Sequence, residues 1–177
     1  MNTELNRIRG MLQATFDGDP WHGSAVMHIL SGISASQASA KPVAHVHSIW
    51  ELVLHMTAWR IFTCEKFRGN ASYDITHTEQ DWPMVKNTDG EAWLQALHNL
   101  KQSQLDLLEV LEQPADDLLD KVVPGRSYNY YVLLQGIIQH DLYHSGQIAL
   151  LKKQLSQTRY RSKEEGCMEV KINDSSE

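Results

Sequence analysis

Apolar residues recur at steps of three and four over four long stretches, separated by segments in which Gly, Pro, Ser and Asp break the period. Leu5, Ile8, Leu12 and Phe16 share one side of a helix predicted over residues 2–16, which Asp17-Gly18-Asp19-Pro20 stops. Pro20 then suits the start of a shorter helical piece with Trp21, Val26, Ile29 and Leu30 as apolar contacts. Residues 31–47 are small and polar and read as a loop or a short helical turn. Ser48-Ile49-Trp50-Glu51 fits a capping box, in which the serine accepts the third amide of a helix and the glutamate reaches back. That helix runs to Phe67 or Arg68, before Gly69-Asn70. Residues 69–89 are irregular, with Tyr73, Trp82 and Pro83 as isolated bulky groups. Thr88 or Asp89 caps the next helix, carried by Trp93, Leu94, Leu97, Leu100, Leu105, Leu108 and Leu111 to about Glu112, ahead of Pro114. A connector from Ala115 to Arg126 contains the Pro124-Gly125 turn signal. Ser127 or Asn129 caps a final helix reaching about Leu155.

Four long helices and no convincing strand predict an all-α fold, a four-helix bundle over residues 1–156. The polar, charge-rich residues 157–177 are expected to form a weakly ordered tail. The connectors at 31–47, 69–88 and 113–127 are long, so the pairing order stays open and crossover connections fit.

Two histidines interrupt the last apolar row. Leu133, Ile137, His140, His144, Ile148 and Leu151 follow one another at steps of three and four, so both imidazoles project from the core-facing side, one turn apart. Imidazoles in a core need partners for their nitrogens, and two protonated rings side by side would repel. Coordination of a metal by neutral rings meets both demands; a hydrogen-bonded core or interface is the alternative. A third ring decides between them, and His55 is the candidate: with Leu52, Trp59 and Phe62 it forms the core-facing row of its own helix. His45 and His47 precede the helix cap and are expected to be exposed, or to line a pocket entrance. His22 and His28 read as surface or hydrogen-bonded residues, and His98, among polar neighbours, as exposed. Gln147, three residues past His144, fits either the rim of a metal pocket, where it would orient a bound water, or ordinary helix packing.

His140-Asp141-Leu142-Tyr143-His144 has the outline of the H-E-x-x-H metalloprotease motif with Asp141 at the general-base position. Aspartate reaches one methylene less far, and no histidine follows His144. Asp141 and Tyr143 flank the histidine row, which suits surface or supporting roles, such as Asp141 accepting a hydrogen bond from an imidazole of a neighbouring helix or another chain.

Charge and composition narrow the partners. A net charge of −6, with 16 basic against 22 acidic residues, argues against nucleic acid, and the short group Arg159, Arg161 and Lys163 is followed by Glu164 and Glu165. The N-terminus lacks a signal-type apolar core and no run approaches the length of a membrane span, so a cytoplasmic protein is expected. Cys64 and Cys167 form no C-x-x-C pattern and suit a reducing compartment, with Cys64 as small core filler.

The last helix, from Leu133 through Gln139-His140-Asp141-Leu142-Tyr143-His144-Ser145-Gly146-Gln147-Ile148, resembles the signature of the DinB/YfiT-like metal-binding proteins. Ile49-Trp50-Glu51-Leu52-Val53-Leu54-His55-Met56 is similar to the segment supplying their other histidine, and the likeness covers roughly residues 2–155. It implies a four-helix bundle with a crossover, often a homodimer, and a divalent metal held by His55, His140 and His144. Trp50 and Tyr143 would be interface or core residues. Three imidazoles with open positions are the arrangement of catalytic rather than structural zinc. Zinc and nickel suit such ligands first, with copper, iron and manganese as further candidates. The resemblance also implies a small-molecule substrate, with low-molecular-weight thiols as cosubstrates of an S-transferase; a metal-dependent hydrolase and a non-catalytic dimerisation bundle are the alternatives.

Overall fold

The computed structural model describes residues 4–112 and 114–172, those from 157 onward as backbone only. It contains α1 (Glu4–Phe16), α2 (Val26–Leu30), α3 (Ala35–Ser39), α4 (Ile49–Phe67), α5 (Gly90–Val110), a 3₁₀ turn at Asp116–Leu118 and α6 (Tyr130–Ile172). Among the described residues there is no strand, only a lone bridge between Val122 and Asn129. The four long helices form the bundle. α4 packs against α5 and α6, and α1 against α6, while the Gln104 amide crosses from α5 to the Leu12 carbonyl of α1 at 3.3 Å. Consecutive long helices α1 and α4 are thus not principal neighbours, which makes the connection between them a crossover.

The caps follow from side chains in the sequence. Ser48 accepts from the Glu51 amide at 3.2 Å and Glu51 accepts from the Ser48 amide at 2.7 Å, so the capping box closes. Asp89 accepts from Ala92 at the start of α5. For α1 the cap comes from afar: the Asp116 carboxylate accepts from the Glu4 and Leu5 amides at 2.9 and 3.1 Å, where it also meets the positive end of the helix. Within 31–47, the short helical turn is α3, with its own capping box between Ser34 and Gln37.

Several apolar residues depart from the expected rows. Trp21 is fully exposed, because Pro20 to Gly23 form a turn and α2 begins only at Val26. Leu94 and Leu105 also face solvent; the buried row of α5 is Trp93, Ala96, Leu100, Ser103, Gln104 and Leu107, and the two leucines stand one step beside it. Trp50 belongs to the core, with its ring centroid 5.1 Å from that of Trp93, and does not reach an interface. Cys64 is buried core filler, its thiol pushed up to about 11 by burial. α6 continues as helix beyond Leu155 to Ile172, consistent with a run rich in Lys, Arg, Glu and Gln and free of Pro. The remaining expectation for the tail concerns side chains from 157 and residues 173–177, which lie outside the described part.

The long loop between α4 and α5 is held in place from below. The buried Lys66 ammonium donates to the Asn70 and Ala71 carbonyls at 3.1 and 3.0 Å. Arg126 pairs with Asp74 and donates to Thr76 at 3.0 Å. Gly125, at φ +76, brings its α-carbon so near this loop that a β-carbon would stand 2.7 Å from the Ala71 carbonyl oxygen. The Pro124-Gly125 turn therefore needs glycine for conformation and for space. These ties carry the chain across the bundle to Asp81 and Trp82.

Candidate metal centre

Two turns into α4, His55 points inward; across the interface, α6 presents His140 and His144 one turn apart. His55 and His144 are 5% and 4% exposed, while His140 is partly buried. The structure brings the three rings together. Nε2 of His140 lies 2.9 Å from Nε2 of His55 and 3.1 Å from Nε2 of His144, and the three rings can offer ligand atoms all within 4.8 Å of one another.

The other ring nitrogens decide what this convergence means. His55 Nδ1 faces the Asp81 carbonyl oxygen at 2.6 Å and an Asp81 carboxylate oxygen at 3.1 Å. Both are acceptors, so Nδ1 carries the proton and Nε2 holds a lone pair. His144 Nδ1 donates in the same way to Gln147 Oε1 at 2.7 Å, leaving its Nε2 lone pair directed inward. A single proton on His140 Nε2 cannot satisfy both facing lone pairs well. A cation can serve all three at once, and imidazole nitrogens about 2.0–2.1 Å from one ion, at angles between 90 and 110°, would stand roughly 2.9–3.4 Å apart. The residues therefore fit a metal ion, and these three histidines would hold it.

Burial works in the same direction. It lowers the pKa of all three rings, with a carbonyl and a carboxylate of Asp81 opposing the shift at His55 and Gln147 opposing it at His144. At His140, burial and the neighbouring His144, His55 and Arg60 bring the value down to about 3. Neutral rings are the form that ligates.

The loop completes the surroundings. Trp82 stacks on His55 with centroids 3.8 Å apart, and His47 stacks on the other side of Trp82 at 3.5 Å. The Trp59 indole N–H donates to the Asp81 carboxylate at 2.9 Å. Beside His144 lies a cavity of about 270 Å³ lined by His45, His47, Trp82, Tyr143 and Gln147 among others. His45 and His47 are thus exposed residues that also line a pocket entrance. His98 faces solvent. Gln147 meets the centre through the His144 ring, accepting from its Nδ1.

Asp141 sits elsewhere than expected. It is fully buried and accepts from Arg60 at 2.6 Å, with no imidazole as its partner. Arg60 also donates to Gln104 and to the Met56 carbonyl, each at 3.0 Å, and lies over the Phe16 ring. Burial pushes the Asp141 carboxyl upward, opposed by the charge and hydrogen bond of Arg60. The carboxylate is committed to that guanidinium, so the H-E-x-x-H analogy fails on geometry. Sequence reasoning missed Arg60, Asp81 and the role of Trp82. For Arg60 a signal existed: it continues the Leu52–Met56 row one turn further. Asp81 and Trp82 lie in a loop without a period.

The sequence model of the DinB superfamily matches residues 21–148, a span that includes all three histidines. No curated protein and no solved structure matches the chain at a significant level.

Proposed function

The chain belongs to the DinB superfamily, and from that premise we propose that it is a metal-dependent enzyme that transfers a group to or from the sulfur of a small thiol at the His55–His140–His144 centre. The observation that carries this reading is the set of inward lone pairs, fixed by acceptors behind two of the rings. A divalent ion held by these histidines would supply Lewis acidity and would favour ionisation of a thiol near neutral pH. The side chains supply the rest. Asp81 and Gln147 hold the protons of His55 and His144 on Nδ1, and Trp82 covers one side of His55. The cavity beside His144 offers Gln147, Tyr143 and two further histidines to a polar cosubstrate.

Thiol chemistry is favoured over hydrolysis by what the nearby carboxylates are doing. Asp141 is fully buried against Arg60, out of reach of a water at the centre, and Asp81 gives one oxygen to both Trp59 and His55, which suits a role in holding the rings. The same reading has the chain working as a cytoplasmic homodimer, with the exposed Tyr143 as an interface candidate; a monomer in sedimentation at micromolar concentration would remove that part.

The test combines elemental analysis with a thiol-dependence assay. One equivalent of metal per chain is expected in the parent and little in His140→Ala, and the loaded parent should consume an electrophile only when thiol is added. Cleavage of esters without thiol would favour a hydrolase. A parent that takes up neither zinc nor nickel would overturn the metal centre.

A further inference from the structure

On the His140 side of the centre lies a second cavity, of about 240 Å³, lined by Trp59, Tyr128, Val132, Leu133, Gly136, Ile137 and His140. Its lining is more apolar than that of the cavity beside His144, where His45, His47 and Gln147 stand among Val46, Leu52 and Trp82. Among the described residues no charged side chain lines it, and the one polar indole atom, Trp59 Nε1, is already bound to Asp81, so the ring offers carbon surface. Along α6 the order is the more apolar cavity (132–140), the centre, and the cavity that also carries Gln147 and two histidines (143–147). Both cavities end on a histidine of the triad. One reacting point is thus approached by two chambers of different polarity, an arrangement suited to joining two molecules rather than to splitting one with water.

We propose that the apolar chamber receives the carbon chain or ring of the electrophilic substrate, and that Gly136 sets its depth. This rests on the thiol-transfer reading. Small thiols carry polar or charged groups that match Gln147, His45 and His47, which leaves the apolar chamber to the electrophile. In the transfer, the thiolate sulfur forms a bond to the electrophilic carbon, the leaving group departs with the electron pair of the broken bond, and the thiol proton passes to solvent. The chamber is smaller than the roughly 300–1,000 Å³ of pockets that enclose a whole drug-sized ligand, so it holds a group and not an entire large molecule. Gly136 stands mid-helix, where glycine costs up to about 1 kcal/mol relative to alanine. A β-carbon there would meet nothing within 4 Å. Added side-chain atoms would therefore enter open space, and a leucine would take up part of the chamber.

The experiment follows 1-hexanol binding to the metal-loaded protein through the Trp59 indole N–H resonance, in the parent, Gly136→Ala and Gly136→Leu. Binding is expected in the parent and in Gly136→Ala, which also checks folding, and at least tenfold weaker binding in Gly136→Leu. With 2-mercaptoethanol as thiol, the ratio of kcat/KM for 1-iodohexane over iodomethane should fall at least tenfold in Gly136→Leu. Unchanged hexanol binding in Gly136→Leu, or none in the parent, would overturn the chamber. Self-association lost in Gly136→Leu, with no hexanol binding by the parent, would overturn it in favour of a second copy as occupant. Hexanol binding with no thiol transfer by any variant would keep an apolar chamber but overturn the transferase reading on which its substrate rests.

Discussion

Two clusters of buried polar side chains lie side by side between α4 and α6, and they are built on opposite rules. In one, Arg60 spends its donors on Asp141, Gln104 and the Met56 carbonyl, fully out of solvent, with opposite charges in contact. In the other, three rings turn their Nε2 atoms toward a common point, two of them with lone pairs fixed inward, and border two cavities. The contrast separates structure from function. A sealed pair of opposite charges, even with Asp141 Oδ1 left without a partner, holds helices in register, whereas neutral rings facing one another with open space beside them invite a ligand.

Breaking the sealed cluster should have the largest effect. Asp141→Ala leaves the Arg60 charge buried without its partner and is expected to cost about 3–5 kcal/mol in denaturant unfolding of the metal-free chain. His140→Ala should cost far less in the same measurement, since it removes a ring that carries no charge. Equal losses for the two variants would erase the distinction between the clusters.

Next come the groups behind the rings. Gln147→Leu removes the acceptor that the structure gives His144 Nδ1, and metal affinity measured by competition with a chelator should fall roughly 10- to 100-fold. Asp81→Ala should fall nearer the lower end of that range, because the Asp81 backbone carbonyl stays in contact with His55. If Gln147→Leu binds metal as the parent does, the proposed fixing of the His144 proton is wrong.

Acid gives the gentlest probe. The folded value of His140, about 3, lies below its ordinary 6.5, so between those values the unfolded chain holds more protons. Metal-free protein should then lose stability as pH falls below about 6.5, at a slope of up to about 1.4 kcal/mol per pH unit from this group, and should show no such penalty above it. Thermal melts of the parent and His140→Ala from pH 7 to 4 check this. A slope that persists in His140→Ala belongs to other groups.

Helical periodicity made much of this legible before any coordinates. The apolar rows place His55, His140 and His144 on inward faces, and Ser48 with Glu51 marks the start of α4. What stayed hidden has physical causes. Arg60 and Asp141 continue apolar rows, but a single charged residue on a row reads as its edge until its counter-charge, eighty-one residues away, is seen opposite. Leu94 and Leu105 misled because hydrophobicity alone does not fix which side of a long helix meets its neighbours. Trp21 misled because nothing local tells a turn tryptophan from a helical one. Asp81 and Trp82 reach the centre through a loop whose course depends on Lys66, Arg126 and Gly125, and no local pattern announces such ties.

That loop carries an evolutionary consequence. The rings belong to helices whose packing resists change, but the backing of His55 and the roof over it arrive on an irregular segment anchored mainly at its far end. Substitutions or length changes around Asp81 and Trp82 can therefore alter metal preference and access without disturbing the bundle. The helices supply the rings of this centre, and the loop supplies what backs and covers them.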